Sequence, residues 1–257
     1  MLEIKDVCTG YEGREVLHGI TAQINPGEIT VLAGPNGCGK STLLKTLMGM
    51  TEKTAGEIRI DGKALEAYRP EQLAQKIAYL PQNRNVPDIS VRRMVLHGRF
   101  PYLSYPRRYR KEDFEIAESA LHQVGMDAYA DKNMNRLSGG MQQKVYIAMA
   151  LAQDTPVIMM DEPTSFLDIV YQVKLMEMAR SLAAQKKAVV MVLHDLSMAL
   201  RIADQLIILK DGRVQGAGTP EAVFTSGVLD EVFGLKIRRV STEEGWQYYF
   251  SDTFSEV

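Results

Sequence analysis

Ile29-Thr30-Val31-Leu32-Ala33 leads without a break into Gly34-Pro35-Asn36-Gly37-Cys38-Gly39-Lys40-Ser41-Thr42, and this stretch decides the fold. A short apolar run bounded by glycine reads as a buried strand. Gly34–Ser41 then matches the phosphate-loop pattern G-x-x-x-x-G-K-[ST]. Glycines let backbone N–H groups turn inward around phosphate oxygens, and a helix opening at the end of the loop adds the positive end of its dipole. Lys40 is placed to reach β- and γ-phosphates, and Ser41 to ligate Mg²⁺. Strand, phosphate loop and helix in that order predict an α/β core built on a parallel sheet.

On either side, short apolar runs alternate with helix-period segments. The strand candidates are Ile29–Ala33, Ile77–Leu80, Val157–Met160, Val189–Leu193 and Leu206–Leu209, and the helix candidates Ser41–Gly49, Phe114–Val124, Met141–Ala152 and Ile169–Ala184. The first 65 residues differ: Leu2–Cys8, Leu17–Ile24 and Glu57–Ile60, with the turn pair Asp61-Gly62, predict an antiparallel sheet. Asp211-Gly212 is a second hairpin turn, and the tail reads as one short helix, Pro220–Phe233, followed by a hairpin ending in Trp246–Phe250.

Val157-Ile158-Met159-Met160 ends in Asp161-Glu162. Unpaired charge at the end of a buried strand is costly, so the pair needs a cation or a task. Asp161 suits a Mg²⁺ ligand and Glu162 a general base for an attacking water. Two more candidate strands end at Gln82 and at His194, which Asp195 follows. Ligands of open α/β sheets bind beyond the carboxyl ends of the strands, so all four strand ends are expected to face one crevice.

Composition excludes several classes. The chain has 257 residues, 46% hydrophobic and 24% charged, with a net charge of −2. That balance gives no global sign of binding nucleic acid or anionic lipid. No apolar run approaches the roughly 18 residues of a membrane span, and Met1–Asp6 lacks a secretory apolar core. Cys8 and Cys38 suggest no disulfide framework, and a cytoplasmic protein is expected.

Leu137-Ser138-Gly139-Gly140-Met141-Gln142-Gln143 makes the reading specific. It resembles the signature motif of ATP-binding cassette (ABC) ATPases, and the motif order is similar to that family over roughly residues 2–225. Tyr11 matches the aromatic that stacks on adenine, Gln82 the Q-loop, Ser165-Phe166-Leu167-Asp168 the D-loop and His194 the switch histidine. The resemblance implies ATP and Mg²⁺ as cofactors. It implies a P-loop core at about 1–82 and 154–225 that includes the antiparallel subdomain. An inserted helical subdomain at about 83–153 and a C-terminal extension at about 226–257 complete the cassette. It also implies a head-to-tail homodimer in which each ATP lies between one copy's loop, Gly34–Thr42, and the other's Ser138, Gly139, Gly140 and Asp168. Gln82 joins Ser41 and Asp161 at the metal, while Lys40, Gln82, Glu162 and His194 serve catalysis. Met141 stands where the family usually has Gln, with Gln142 the candidate to compensate, and Lys144 stands where Arg is frequent.

A single cassette with no candidate span implies separate membrane permease subunits and, indirectly, an extracytoplasmic substrate-binding protein. Arg69–Ala74 and Ser90–Leu103 resemble cassettes of importers for iron–siderophore, haem and cobalamin. The implied place is the cytoplasmic face of the cell membrane, with residues after Gln82 through about Tyr105 as candidates for the permease cleft. Arg99, Arg107, Arg108, Arg110 and Lys111 interleave with Phe100, Tyr102, Tyr105 and Tyr109, a pattern that also suits nucleic acid. An ABC ATPase acting on nucleic acid or ribosomes is therefore the alternative. Such proteins typically carry tandem cassettes or a long insertion, and this chain has one phosphate loop, so no nucleic-acid partner is expected.

Overall fold

The computed structural model describes residues 1–82, 85–243 and 245–251. Asn83 and Arg84 of the candidate permease cleft, and the last six residues of the tail, lie outside them. The strands are β1 (Leu2–Tyr11), β2 (Arg14–Ile24), β3 (Ile29–Ala33), β4 (Lys53–Ile60), β5 (Lys63–Ala64), β6 (Ile77–Leu80), β7 (Val157–Asp161), β8 (Ala188–Val192), β9 (Gln205–Lys210), β10 (Arg213–Gly218), β11 (Lys236–Thr242) and β12 (Gly245–Ser251). The helices are α1 (Lys40–Leu47), α2 (Pro70–Ala74), α3 (Val91–Leu96), α4 (Lys111–Gln123), α5 (Gly139–Ala152), α6 (Ile169–Ala184), α7 (Leu196–Ile202), α8 (Pro220–Thr225) and α9 (Val228–Phe233). Two compact units result, Met1–Ala67 with Ala179–Val257, and Tyr68–Met178.

In the first unit β1 is paired antiparallel on both sides, with β2 and β4, and β5 extends the sheet from β4. Leu2, Ile4 and Val7 of β1 are all buried, which breaks strict alternation. A bulge between Ile4 and Val7, with Asp6 at φ 49°, resets the phase and returns Val7 to the core face. β3 runs parallel between β8 and β9, and all five of its residues are buried, as a strand covered on both faces requires. β10 turns back antiparallel on β9 through Asp211-Gly212. The tail is two helices rather than one: Gly227, left-handed at φ 77°, breaks the helical backbone between α8 and α9. The expected hairpin forms as β11–β12, where Arg239 lies over the rings of Phe224 and Trp246 and pairs with Glu221.

In the second unit β6 and β7 are parallel neighbours. α5 is its central helix. Val145, Ile147, Ala148, Ala150 and Ala152 are buried all around it, as expected for a helix enclosed by others. α3 and α4 pack on it through Met94, Val95, Ala117 and Leu121. Arg99 closes its far end, donating from Nη1 to the carbonyl of Ala152 at 2.9 Å and from Nε to Asp113 at 3.0 Å. A cation at a helix C-terminus is favourable, and this one is paired as burial demands. Arg99 is therefore an internal tie, not part of an open basic surface. Tyr102 likewise donates its hydroxyl to the carbonyl of Gln153.

Candidate nucleotide-binding site

β3 delivers the chain to the phosphate loop, and the loop's shape follows from its glycines. At Gly34, φ 153°, a Cβ would sit 2.0 Å from the carbonyl oxygen of Leu209, so no side chain fits. Gly39 takes the left-handed conformation at the N-cap of α1. A glycine cap brings no side-chain acceptor, and the first turn holds no acidic residue. The leading amides of α1 are thus left to an outside acceptor. Lys40 is only 6% exposed, and its Nζ donates at 2.9 Å to the carbonyls of Gly34 and Pro35. Among the described residues no carboxylate neutralises it. Open helix amides around a buried, unneutralised cation fit a polyphosphate. Cys38 is buried beside Lys40, and burial pushes its thiol up, so it stays protonated at neutral pH.

Two further expected residues lie in the same unit. Tyr11 ends β1, 45% exposed, with its hydroxyl 3.3 Å from Thr51 Oγ1. His194 follows β8, the parallel neighbour of β3, and is exposed. Asp195 caps α7, its Oδ1 accepting from Met198 N at 3.0 Å, which accounts for that carboxylate.

The second unit presents Gln82 after β6, and Asp161 and Glu162 at the end of β7. Asp161 is 1% exposed. Glu162 holds a left-handed backbone, φ 50°, a strained conformation that re-aims the chain as it leaves the strand. The Gln82 amide donates to Glu162 Oε2. Within this unit Asp161 and Gln82 carry carboxylate and amide oxygens, hard donors of the kind Mg²⁺ takes alongside water and phosphate.

The signature segment opens α5. Ser138 is the N-cap, its Oγ accepting from Met141 N at 3.4 Å. Gly139 and Gly140 supply the first helical amides. Gln142 does not stand in for the missing glutamine at 141, because its amide turns back to the carbonyls of Met134 and Leu137, both at 3.2 Å. A 300 Å³ cleft has Gln82, Val86, Gly139, Gln142 and Phe166 among its walls, so the end of β6 and the start of α5 share one space. Asp168 caps α6 by accepting from Tyr171 N at 2.8 Å.

Four contacts had no counterpart in the sequence reading. Gln143, 3% exposed, donates to the carbonyl of Pro163 at 2.7 Å, joining α5 to the turn after Glu162. Lys144 Nζ stands 3.7 Å from the Tyr171 ring centre. Burial pushes the Tyr171 phenol up to about 12, and it donates to the carbonyl of Val124 at 2.9 Å. Tyr79 donates to Asp161 Oδ2 at 3.3 Å. Only Gln143 left a sequence signal, a polar residue amid the apolar positions of a helix.

A strand–loop–helix phosphate cradle in an α/β chain defines a P-loop nucleotide-binding protein. The chain belongs to the ABC transporter family: the family's model matches residues 17–165. It is similar to the ferric enterobactin transport ATP-binding protein FepC of Escherichia coli, 38% identical over 90% of this chain and 86% of that one. It is also similar to the petrobactin import ATP-binding protein FpuD of Bacillus anthracis, 36% identical over 94% and 89%. The iron(3+)-hydroxamate import ATP-binding protein FhuC of Bacillus subtilis is 39% identical over 91% and 88%. Among solved structures, a metal-chelate type ABC transporter in an inward-facing conformation superposes with a TM-score of 0.84 at 27% identity, covering 99% of this chain and 98% of that one. The dimeric cassette MJ0796 bound to ADP and Pi gives 0.76 at 30% identity, over 86% and 99%. The chain is thus an ABC ATPase, with a mainly parallel core sheet, an N-terminal antiparallel sheet and a helical subdomain.

Proposed function

We propose that this ATPase energises uptake of an iron chelate (siderophore or haem) or cobalamin through separate permease subunits. The observation that carries the reading is the open, lysine-marked start of α1 in a chain whose relatives are named for petrobactin, ferric enterobactin and iron(3+)-hydroxamate transport. Gly34–Thr42 wraps the phosphates of ATP, Lys40 bonds the β- and γ-phosphates, and Tyr11 stacks on adenine. Ser41, Asp161 and Gln82 hold Mg²⁺, which when bound supplies positive charge beside the phosphates. Glu162 accepts the proton of the water that attacks the γ-phosphorus as the bond to the ADP oxygen breaks, and His194 keeps the γ-phosphate in line. Phosphoryl transfer asks mainly for such positioning and charge.

In this reading two copies assemble head to tail, each closing the other's site with Ser138, Gly139, Gly140 and Asp168. The assembly sits peripherally on the cytoplasmic face of the cell membrane. The segment after Gln82, through about Tyr105, receives a cytoplasmic part of the permease, and an extracytoplasmic binding protein supplies the chelate from the far side. Tagged protein drawn from native membranes should bring a polytopic permease with it. In vesicles given the binding protein outside, that pair should take up an iron–siderophore complex only with ATP inside. Recovery solely as a soluble complex with DNA or ribosomes refutes the reading.

A further inference from the structure

Tyr79 lies opposite Met159 in the parallel β6–β7 pair. Side chains two residues apart along a strand share a face, so Tyr79 and Asp161 are diagonal neighbours. The phenol spans that diagonal and donates to Asp161 Oδ2 at 3.3 Å. Three residues on, Gln82 donates to Glu162. β6 and the turn after it therefore give one donor to each of the two consecutive carboxylates at the end of β7.

The pairing is chemically selective. Asp161 is 1% exposed, and a buried carboxylate needs hydrogen-bond donors to hold its charge. A neutral phenol meets that need without the competing positive charge that Lys or Arg would bring to a cation's ligand. A carboxylate has about four acceptor sites, and the phenol takes one of them. Groups that hold a metal's direct ligands set their orientation and basicity, and losing one typically costs about 10- to 100-fold in metal affinity.

We propose that Tyr79 is a positioning residue for the Mg²⁺ site, its hydroxyl fixing the rotamer in which Asp161 faces the ion. The proposal rests on the assignment of Asp161 to Mg²⁺ made above. Tyr79→Phe removes only the hydroxyl and keeps the ring that fills the strand face. With the full chain, binding of the fluorescent analogue TNP-ATP is titrated in EDTA and then against rising Mg²⁺, and hydrolysis is followed over the same Mg²⁺ range. The variant should bind TNP-ATP in EDTA as the parent does, while the Mg²⁺ concentration at half effect rises about tenfold in both binding and hydrolysis. A parental Mg²⁺ midpoint in the variant overturns the role of Tyr79. So does an equal loss of affinity in EDTA, the mark of a general packing defect. A parent whose nucleotide binding and hydrolysis ignore Mg²⁺ overturns the assignment of Asp161 as well, which separates the two failures.

Discussion

The starts of α1 and α5 both offer helix amides to an anion, yet they are built differently. α1 begins at a left-handed glycine with no side-chain cap and a buried lysine at its first position. α5 begins at Ser138, which occupies one of its own amides, and is followed by two glycines and no charge. Its other end is satisfied by Arg99, which the buried Asp113 pairs in turn. An uncapped terminus with its own cation favours phosphate at all times. A self-capped terminus without one is a weaker anion site that gains from an anion already held elsewhere. The contrast suits a nucleotide that binds first to one copy and is then closed over by the α5 terminus of another.

That contrast can be broken at several points. The largest expected effect is on chemistry, not on either terminus: Glu162→Gln should lower ATP hydrolysis by about 10²- to 10⁴-fold, the range of general-base removal, with ATP affinity retained. Size-exclusion chromatography with ATP should then find a trapped dimer, and a parental hydrolysis rate would show that the base lies elsewhere. Lys40→Ala removes the cation that distinguishes α1. A charge-assisted bond is worth roughly 1.5–3 kcal/mol, so ATP affinity by equilibrium titration should drop about ten- to a hundredfold. Unchanged affinity would mean that the two termini do not differ in the way described. Gly140→Ala probes α5. The added Cβ would fall 2.9 Å from the carbonyl oxygen of Phe166, forcing the loop or the helix start to shift. Steady-state assays should give a kcat lower by roughly tenfold, about 1.4 kcal/mol of transition-state stabilisation, with nucleotide affinity of the isolated subunit unchanged. A drop in that affinity instead would make α5 part of the primary binding site.

Sequence legibility divided along the same line of locality. Ile29–Ala33, Ile77–Leu80 and Ile169–Ala184 have the boundaries expected of them, because glycine, proline and apolar periodicity act within a few residues. The phosphate loop was readable for the same reason: its chemistry is contiguous. The tail was misread as one helix because its apolar spacing continues across Gly227. The helical-subdomain residues were harder. Arg99 looked like one basic residue among five, yet its partners are 14 and 53 residues away. Tyr79 meets Asp161 across 82 residues, and nothing in a strand's alternation reveals which hydroxyl has a carboxylate opposite it. Gln142 is a candidate for the work of the absent glutamine by adjacency alone. In the fold it spends its amide on two preceding carbonyls.

The smallest expected effect sharpens the comparison most, because it asks what position 141 does. Met141 is the third residue of α5 after its Ser138 cap, and its own N–H bonds the Ser138 hydroxyl. Glutamine at that position can reach back to the backbone N–H of the cap residue and complete a reciprocal capping box. Met141→Gln should therefore stabilise the chain by about 0.5 kcal/mol, within the range for such caps. For a chain of this size that is a rise in Tm of roughly 1–2 °C by differential scanning calorimetry. Hydrolysis should stay within about twofold of the parent, since a cap satisfied from within adds no donor toward phosphate. If instead Tm is unchanged and kcat rises several-fold, the glutamine amide has turned outward to the nucleotide. The start of α5 would then depend on position 141 as the start of α1 depends on Lys40, and the two termini would be alike in kind, each needing a side-chain donor of its own.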